Sequence, residues 1–202
     1  VDEPEPTPEP EPEAELEPSQ VVYFDTSELQ PLQGSPGEEF TLLLKYDTTD
    51  SVDELSGLNL QLHYNSNDFN PVEIDDQFLT SAVSDNILSN SNTDENDIDN
   101  DELTNKFLSF NWDDVNGNWP GVELPITLAK IKFKISENVD PLTQSSVLNL
   151  TAIDNADGYS FKGYSLKLGG ERGFENEYTS SSPDEGSYPG DGSYPNYPGE
   201  GS

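Results

Sequence analysis

Three aspartates at alternate positions form the segment of this 202-residue chain whose spacing most clearly suggests chemistry. Asp97, Asp99 and Asp101 lie in the acidic run from Asp94 to Asp101, and alternate side chains can turn their oxygens toward one hard cation. The stretch from Asp85 to Glu102 carries seven acidic residues, which repel one another unless something neutralises them. The pattern predicts a loop that calcium stabilises.

An EF-hand does not fit this loop. Counted from Asp97, the sixth position, which needs Gly, is Glu102, and the twelfth, which needs Glu, is Leu108. The alternative to a looser calcium site is that the Asp and Asn side chains only solvate a long connection.

Two further turns pair carboxylates with a glycine. Asp113, Asp114 and Asn116 precede Gly117, and a similar turn spans Asp154 to Gly158. Glycine permits a positive φ, so each turn can present several oxygens to an ion. Ordinary turn chemistry explains both patterns equally well, and we keep Asp113, Asp114 and Asn116 as secondary metal candidates.

His63 is the single histidine, which excludes a centre with several histidines and leaves any Ser-His-Asp triad to depend on one group. Alternation places it opposite Leu60 and Leu62, so we expect it on a solvated sheet surface. No motif selects a pair of carboxylates for hydrolysis, and no phosphate loop or nucleophile elbow occurs. The sequence therefore predicts a protein that is not an enzyme.

The two tryptophans have different expected environments. Trp112 falls on the apolar face of its strand and is expected in the core, whereas Trp119 precedes Pro120 and Gly121 in a loop. We therefore expect Trp119 to be exposed and to offer a face on which a sugar ring could stack. This is the main ligand-binding candidate and supports the alternative hypothesis of a carbohydrate-binding module.

The charge balance limits the partners. Against 41 acidic residues stand 8 basic ones, giving a net charge of −33, so nucleic acids and anionic membranes would be repelled. There is no apolar run long enough for a signal peptide or for membrane insertion. The chain has no cysteine, which excludes disulfides and thiol chemistry. Together with the features below, these properties indicate an extracellular or cell-surface protein.

Short apolar runs separated by Asn, Asp, Gly, Ser and Pro clusters indicate an all-β fold. Alternation predicts strands over residues 21–24, 39–46, 58–64, 107–112, 126–135, 147–153 and 164–168. Residues 77–83 are the one predicted helical turn. These elements predict an antiparallel two-sheet sandwich of jelly-roll or Greek-key type, flanked by extended tails.

The composition divides the chain into three parts. Residues 1–20 alternate Glu and Pro and are predicted to be an extended linker. Residues 21–168 carry the sandwich, and residues 169–202 repeat Gly-Ser-Tyr-Pro in a low-complexity tail. Such a tail is expected to act as a flexible linker or to contact a neighbouring subunit.

Three segments together resemble cohesin-like modules of bacterial surface proteins: GLNLQLHYN at 57–65, FNWDDVNGNWP at 110–120 and LAKIKFKI at 128–135. They look most like the variety repeated in large secreted proteins of cyanobacteria and marine bacteria. The resemblance implies a jelly-roll sandwich related to carbohydrate-binding modules, with an adhesive or assembly role. It does not imply that this chain binds a dockerin.

These features lead to one functional hypothesis. The chain is a non-catalytic structural or adhesive module of a fibre, matrix or large adhesin, with calcium in its acidic loop. Its partner would be a protein or further copies of itself, and polysaccharide is the other candidate. Assembly could proceed through the tail or through donation of Val21–Phe24 to the sheet edge of the next copy.

Overall fold

The computed structural model describes residues 17–27, 34–138, 146–168 and 175–178, the last of these as backbone. The Glu/Pro segment and the Tyr-Pro repeats lie outside these ranges, apart from residues 17–20. Within the described ranges the chain forms twelve strands and one helix.

The first sheet contains four long strands. Their bounds are β1 Ser19–Asp25, β2 Glu39–Thr48, β5 Phe69–Asp76 and β9 Ile126–Ile135. They lie in the spatial order β5-β9-β2-β1, and all three pairs are antiparallel. On β9 the lysines face outward while Ala129, Ile131 and Phe133 face the core, as alternation predicts.

The second sheet contains five strands in its main path. They are β4 Gly57–Tyr64, β6 Asn92–Thr93, β7 Lys106–Asp113, β10 Ser146–Asn155 and β11 Ser160–Leu168. Their order is β11-β10-β4-β7-β6, and the pairs within this sheet are antiparallel. A small ladder joins β3 Glu54–Leu55 to β8 Trp119–Pro120, and β12 Glu175–Tyr178 pairs with the second half of β11.

The two sheets face each other across one apolar core. Inward side chains from both sheets form a single buried cluster, which includes Leu42 and Tyr46 from β2 and Leu60 and Phe110 from β4 and β7. The indole nitrogen of Trp112 on β7 donates to Asp76 on β5 at 3.1 Å, so a hydrogen bond also crosses between the layers. The predicted all-β sandwich is therefore confirmed.

One pairing departs from the antiparallel prediction. β1 runs parallel to β11 over Ser19–Val22 and antiparallel to β2 on its other side, so it joins the edges of the two sheets. Val21 and Val22 have partners on both sides, whereas Tyr23 and Phe24 pair with β2. The segment therefore pairs within its own sheet here, and its donation to the next copy would require β1 to leave these pairings.

The helix lies later in the chain than predicted. Instead of a turn over 77–83, α1 spans Ser81–Ser89, with Thr80 as the N-cap residue. Thr80 is extended and its hydroxyl accepts from the Val83 N–H, the usual role of a threonine at this position. Ile87 and Leu88 pack against the core, and the helix contacts β5 and β7.

Candidate functional site

The acidic segment Asp94–Asn105 is fastened to the second sheet at both ends. The Asp94 N–H donates to the Asn105 carbonyl, and the Asn105 N–H donates to the carbonyl of Tyr64 at the end of β4. Asp97 and Asn100 adopt positive φ angles of 50° and 55°. Asp and Asn tolerate this conformation better than most residues, so the sequence of the loop suits its tight turns.

Asn149 on β10 lies at the centre of the contacts between loop and sheet. Its side-chain N–H groups donate to Asp99 Oδ2 at 2.8 Å and to Asp101 Oδ2 at 2.9 Å, and its carbonyl oxygen accepts from the Ser165 hydroxyl. The hydroxyl of Thr104 contacts both oxygens of Asp99. Two carboxylates that repel each other are thus held against one neutral amide.

His63 is buried beneath the same loop, and the expectation of a solvated histidine is wrong. Its side chain is 0% exposed, and the side chains of Asp94 and Asp99 are 1% and 2% exposed. Its Nδ1 lies 2.8 Å from Asp94 Oδ2 and 3.8 Å from Asp99 Oδ1. Alternation correctly placed His63 on the outer face of β4, but it could not show that Asp94–Asn105 covers that face.

Asp94, His63 and Thr151 form a continuous chain of hydrogen bonds. The second ring nitrogen of His63, Nε2, lies 2.8 Å from the Thr151 hydroxyl. Because Nδ1 faces a carboxylate oxygen, which accepts, Nδ1 carries a proton and donates to Asp94. This is the order of groups found in acyl-transfer sites, namely carboxylate, imidazole and hydroxyl. Complete burial of the ring prevents an external substrate from reaching the imidazole.

The structure brings together part of the predicted calcium set. Asp99 and Asp101 converge on Asn149, whereas Asp97 is exposed and does not join them. The group whose ligand atoms lie within 4.8 Å of one another is instead His63, Asp94 and Asp99. No Lys or Arg forms an ion pair with these carboxylates in the described part of the chain.

Asp113 is the last residue of β7, and Asp114 and Asn116 lie in the turn that follows it. Asp114 accepts from the N–H of Asn116 at 2.8 Å, an ordinary turn contact, and Asp113 accepts from the Asn111 side chain at 2.6 Å. Asp113 also lines an open polar pocket of about 160 Å³ that includes Asp154 from β10. The fold therefore brings residues from the two glycine-containing turns to one place.

Trp119 is not exposed, contrary to expectation. Its side chain is 7% exposed, and its ring lies 4.8 Å from the ring of Tyr46 and 6.0 Å from that of Trp112. The β3–β8 ladder draws this residue inward, a long-range pairing that its loop-like sequence does not reveal. A buried tryptophan offers no stacking face to a sugar.

Sequence reasoning did not select Thr151, Asn149 or Gln61. Each is a polar residue within a strand whose alternate residues are apolar, a pattern that is typical of a solvated face. The register of β4 against β10 would have identified them, because it places Asn149 opposite His63 and Thr151 opposite Gln61. That register requires knowing which strands pair.

Comparisons with known proteins give fold-level likenesses only. No family model and no curated protein matches the chain. Among solved structures, CaCohA2 in complex with CaDoc0917 has a TM-score of 0.44 at 14% identity, covering 79% of this chain and 97% of that one. A type I cohesin–dockerin complex from Clostridium thermocellum has a TM-score of 0.41 at 16% identity, covering 78% and 99% respectively.

A third structure contains the sixth cohesin of scaffoldin B from Acetivibrio cellulolyticus, bound to a Cel5 dockerin. Its TM-score is 0.40 at 12% identity, and the match covers 75% of this chain and 86% of that one. TM-scores below 0.5 do not establish shared partners or function. The narrower resemblance to modules of cyanobacteria and marine bacteria finds no support in these structures.

No helix among the described residues is long and apolar enough to span a membrane.

Proposed function

We propose that this chain is a non-catalytic extracellular module with a structural or adhesive role in a surface fibre, matrix or large adhesin. The observation that carries the proposal is the environment of His63. His63, the group best suited to chemistry, is fully buried, and its hydrogen bonds to Asp94 and Thr151 fasten the acidic loop to the sheet. Chemistry on an external substrate would need the reverse, a reachable imidazole beside an open cleft.

The surface charge supports a location outside the cell. A net charge of −33 keeps the chain soluble and favours conditions in which salt or divalent cations screen its self-repulsion. Burial of Trp119 removes the aromatic platform expected of a carbohydrate-binding module, which favours a protein partner or further copies of the chain over polysaccharide.

The partner proposal is tested by sedimentation of the full chain over a range of concentrations, with and without calcium. We expect reversible association that strengthens as concentration rises. A monomer under every condition would contradict assembly with copies of itself. Multiple turnovers of a simple ester such as p-nitrophenyl acetate, abolished by His63→Ala, would contradict the non-catalytic role.

We also propose calcium as the counterion of the Asp94–Asp101 loop. Asp99 and Asp101 already accept hydrogen bonds, so Asp97 and its exposed neighbours Glu95 and Glu102 are the carboxylates open to a cation. An ion that binds only the folded state raises the melting temperature by mass action.

Thermal melting of the full chain in calcium, magnesium and chelator tests this site. We expect a higher melting temperature in calcium than in magnesium, and a smaller difference in Asp97→Asn. Asp157→Asn, an exposed acid in the turn after β10, is the matched control for loss of one charge. Equal melting temperatures in calcium and chelator would remove calcium from the proposal.

A further inference from the structure

Four side chains on the outer face of the second sheet are arranged for one acyl transfer within the chain. Thr151 on β10 and Gln61 on β4 are directly opposite each other in the antiparallel register. The Thr151 Oγ1 lies 3.4 Å from Gln61 Oε1 and 2.8 Å from His63 Nε2. Asp94 Oδ2 lies 2.8 Å from the other ring nitrogen.

The Thr151 hydroxyl lies within hydrogen-bond distance of two groups, His63 Nε2 at 2.8 Å and Gln61 Oε1 at 3.4 Å. The contact to the imidazole is the shorter one, and Nε2 can accept the hydroxyl proton when that nitrogen carries no proton of its own. The same hydroxyl oxygen lies beside the side-chain amide of Gln61. A hydroxyl that is hydrogen-bonded to an imidazole and held beside an amide is an activated nucleophile beside its electrophile.

We propose that Thr151 and Gln61 form an intramolecular ester. The Thr151 oxygen attacks Cδ of Gln61 while His63 Nε2 accepts the hydroxyl proton. The tetrahedral intermediate collapses, the Cδ–Nε2 bond breaks, and His63 returns the proton to the leaving nitrogen. One C–O bond replaces one C–N bond, one ammonia molecule is released, and no oxidant or cofactor is required.

Asp94 and Asp99 act through His63. Asp94 holds Nδ1–H and so keeps Nε2 free to accept the proton, and both carboxylates are buried beside the imidazolium that forms. Asp94 is therefore a positioning residue. His63 and Gln61 are buried, which shields the imidazole and the amide from bulk water and explains how groups unreachable by an external substrate can still react with each other.

The proposed bond is a covalent cross-link between two strands of this chain. The chain has no cysteine, so disulfides cannot supply one. Gln61 and Thr151 are 90 positions apart, and joining them closes a long loop of the unfolded chain. The cross-link joins β4 and β10, two neighbouring strands in the second sheet. This inference does not depend on the proposed adhesive role.

Intact-mass spectrometry of the purified full chain tests the bond. We expect the wild-type mass to fall below the sequence mass by one ammonia molecule. Digestion should yield a species that joins the peptides containing residues 61 and 151. Hydroxylamine, which cleaves esters and spares amides, should separate these peptides and leave a hydroxamate at position 61.

The variants separate the roles of the four residues. Thr151→Val and Gln61→Met should restore the full sequence mass, and His63→Ala should do the same. Thr151→Ser should retain the mass deficit, and Asp94→Asn should slow its appearance. Thr41→Val, which removes a hydroxyl from the outer face of β2, should leave the deficit unchanged.

Loss of ammonia has a second source to be controlled, since Asn116–Gly117 can form a succinimide. Asn116→Ala removes that source and should keep the deficit that arises from the ester. Thr151→Val and Gln61→Met should still unfold cooperatively on heating. That result would show that these variants lack the ester and keep the fold. A folded wild-type chain of full sequence mass, or a deficit that persists in Thr151→Val, would overturn the proposal.

Discussion

Two acidic segments of this chain have similar sequences and different structural roles. The loop from Asp94 to Asn105 buries carboxylates against the second sheet, with Asp94 and Asp99 almost fully enclosed. The turn after β7 leaves Asp113 exposed, and Asp114 serves only as a turn acceptor. Both segments are rich in Asp and Asn, so composition does not separate them.

The difference originates in the strands below each segment. Asp94–Asn105 lies over His63 and Asn149, which face each other on β4 and β10 and supply donors to the carboxylates. No such pair of donors lies beneath the turn at 113–117 among the described contacts. The carboxylates of an acidic segment are buried only where polar side chains of the sheet below donate hydrogen bonds to them.

The largest expected effect comes from removing the amide that holds the buried loop. Asn149→Ala deletes the donor to Asp99 and Asp101 and leaves the buried carboxylate of Asp99 without it. We expect a loss of about 3 kcal/mol in the free energy of unfolding, because hydrogen bonds to charged groups are strong and unsatisfied buried charges are costly. Urea denaturation of the full chain measures it.

The matched change in the exposed turn is Asn116→Ala. The turn contact to Asp114 uses the backbone N–H of Asn116, which alanine retains, so we expect a change of about 0.5 kcal/mol or less. Equal losses of unfolding free energy in Asn149→Ala and Asn116→Ala would show that the buried and the exposed acidic segments contribute equally to stability.

The sequence predicted the sheets well and the site poorly. Alternation correctly placed Leu42, Leu44 and Tyr46 in the core, because a two-sheet sandwich hides one face of each strand. The same rule failed for His63 because it assumes that the second face meets solvent. The loop Asp94–Asn105 covers His63 through contacts between residues that are far apart in the sequence. The periodicity of a single strand cannot predict such contacts.

A third buried carboxylate, Asp76, extends the comparison to the first sheet. It accepts from Trp112 Nε1 and from the N–H groups of Phe78 and Leu79, whereas its neighbour Asp75 is exposed. We expect Asp76→Ala to cost about 2 kcal/mol, because three donors lose their acceptor, and Asp75→Ala to cost much less. Urea denaturation of both variants measures the difference.

Asp76 also predicts a pH dependence. Burial raises the pKa of Asp76 above its ordinary value of 3.8, against hydrogen bonds that lower it. The folded form then binds this proton more tightly than the unfolded form, so the contribution is full below about pH 3.8 and is lost as pH rises through the folded pKa. We expect the wild type to gain stability relative to Asp76→Asn as pH falls from 7 to about 4. A constant difference across this range would contradict the effect of burial.

The smallest effect is expected at an ion pair on the outer face of the first sheet. Lys132 and Glu73 are cross-strand partners on β9 and β5, with side chains 38% and 61% exposed. Water and salt screen such a pair, so Lys132→Ala and Glu73→Ala should each change the free energy of unfolding less than any of the variants above. A double-mutant cycle in low and high salt measures the coupling. A coupling as large as the loss in Asn149→Ala would show that charge pairing matters as much on the open face as under the loop.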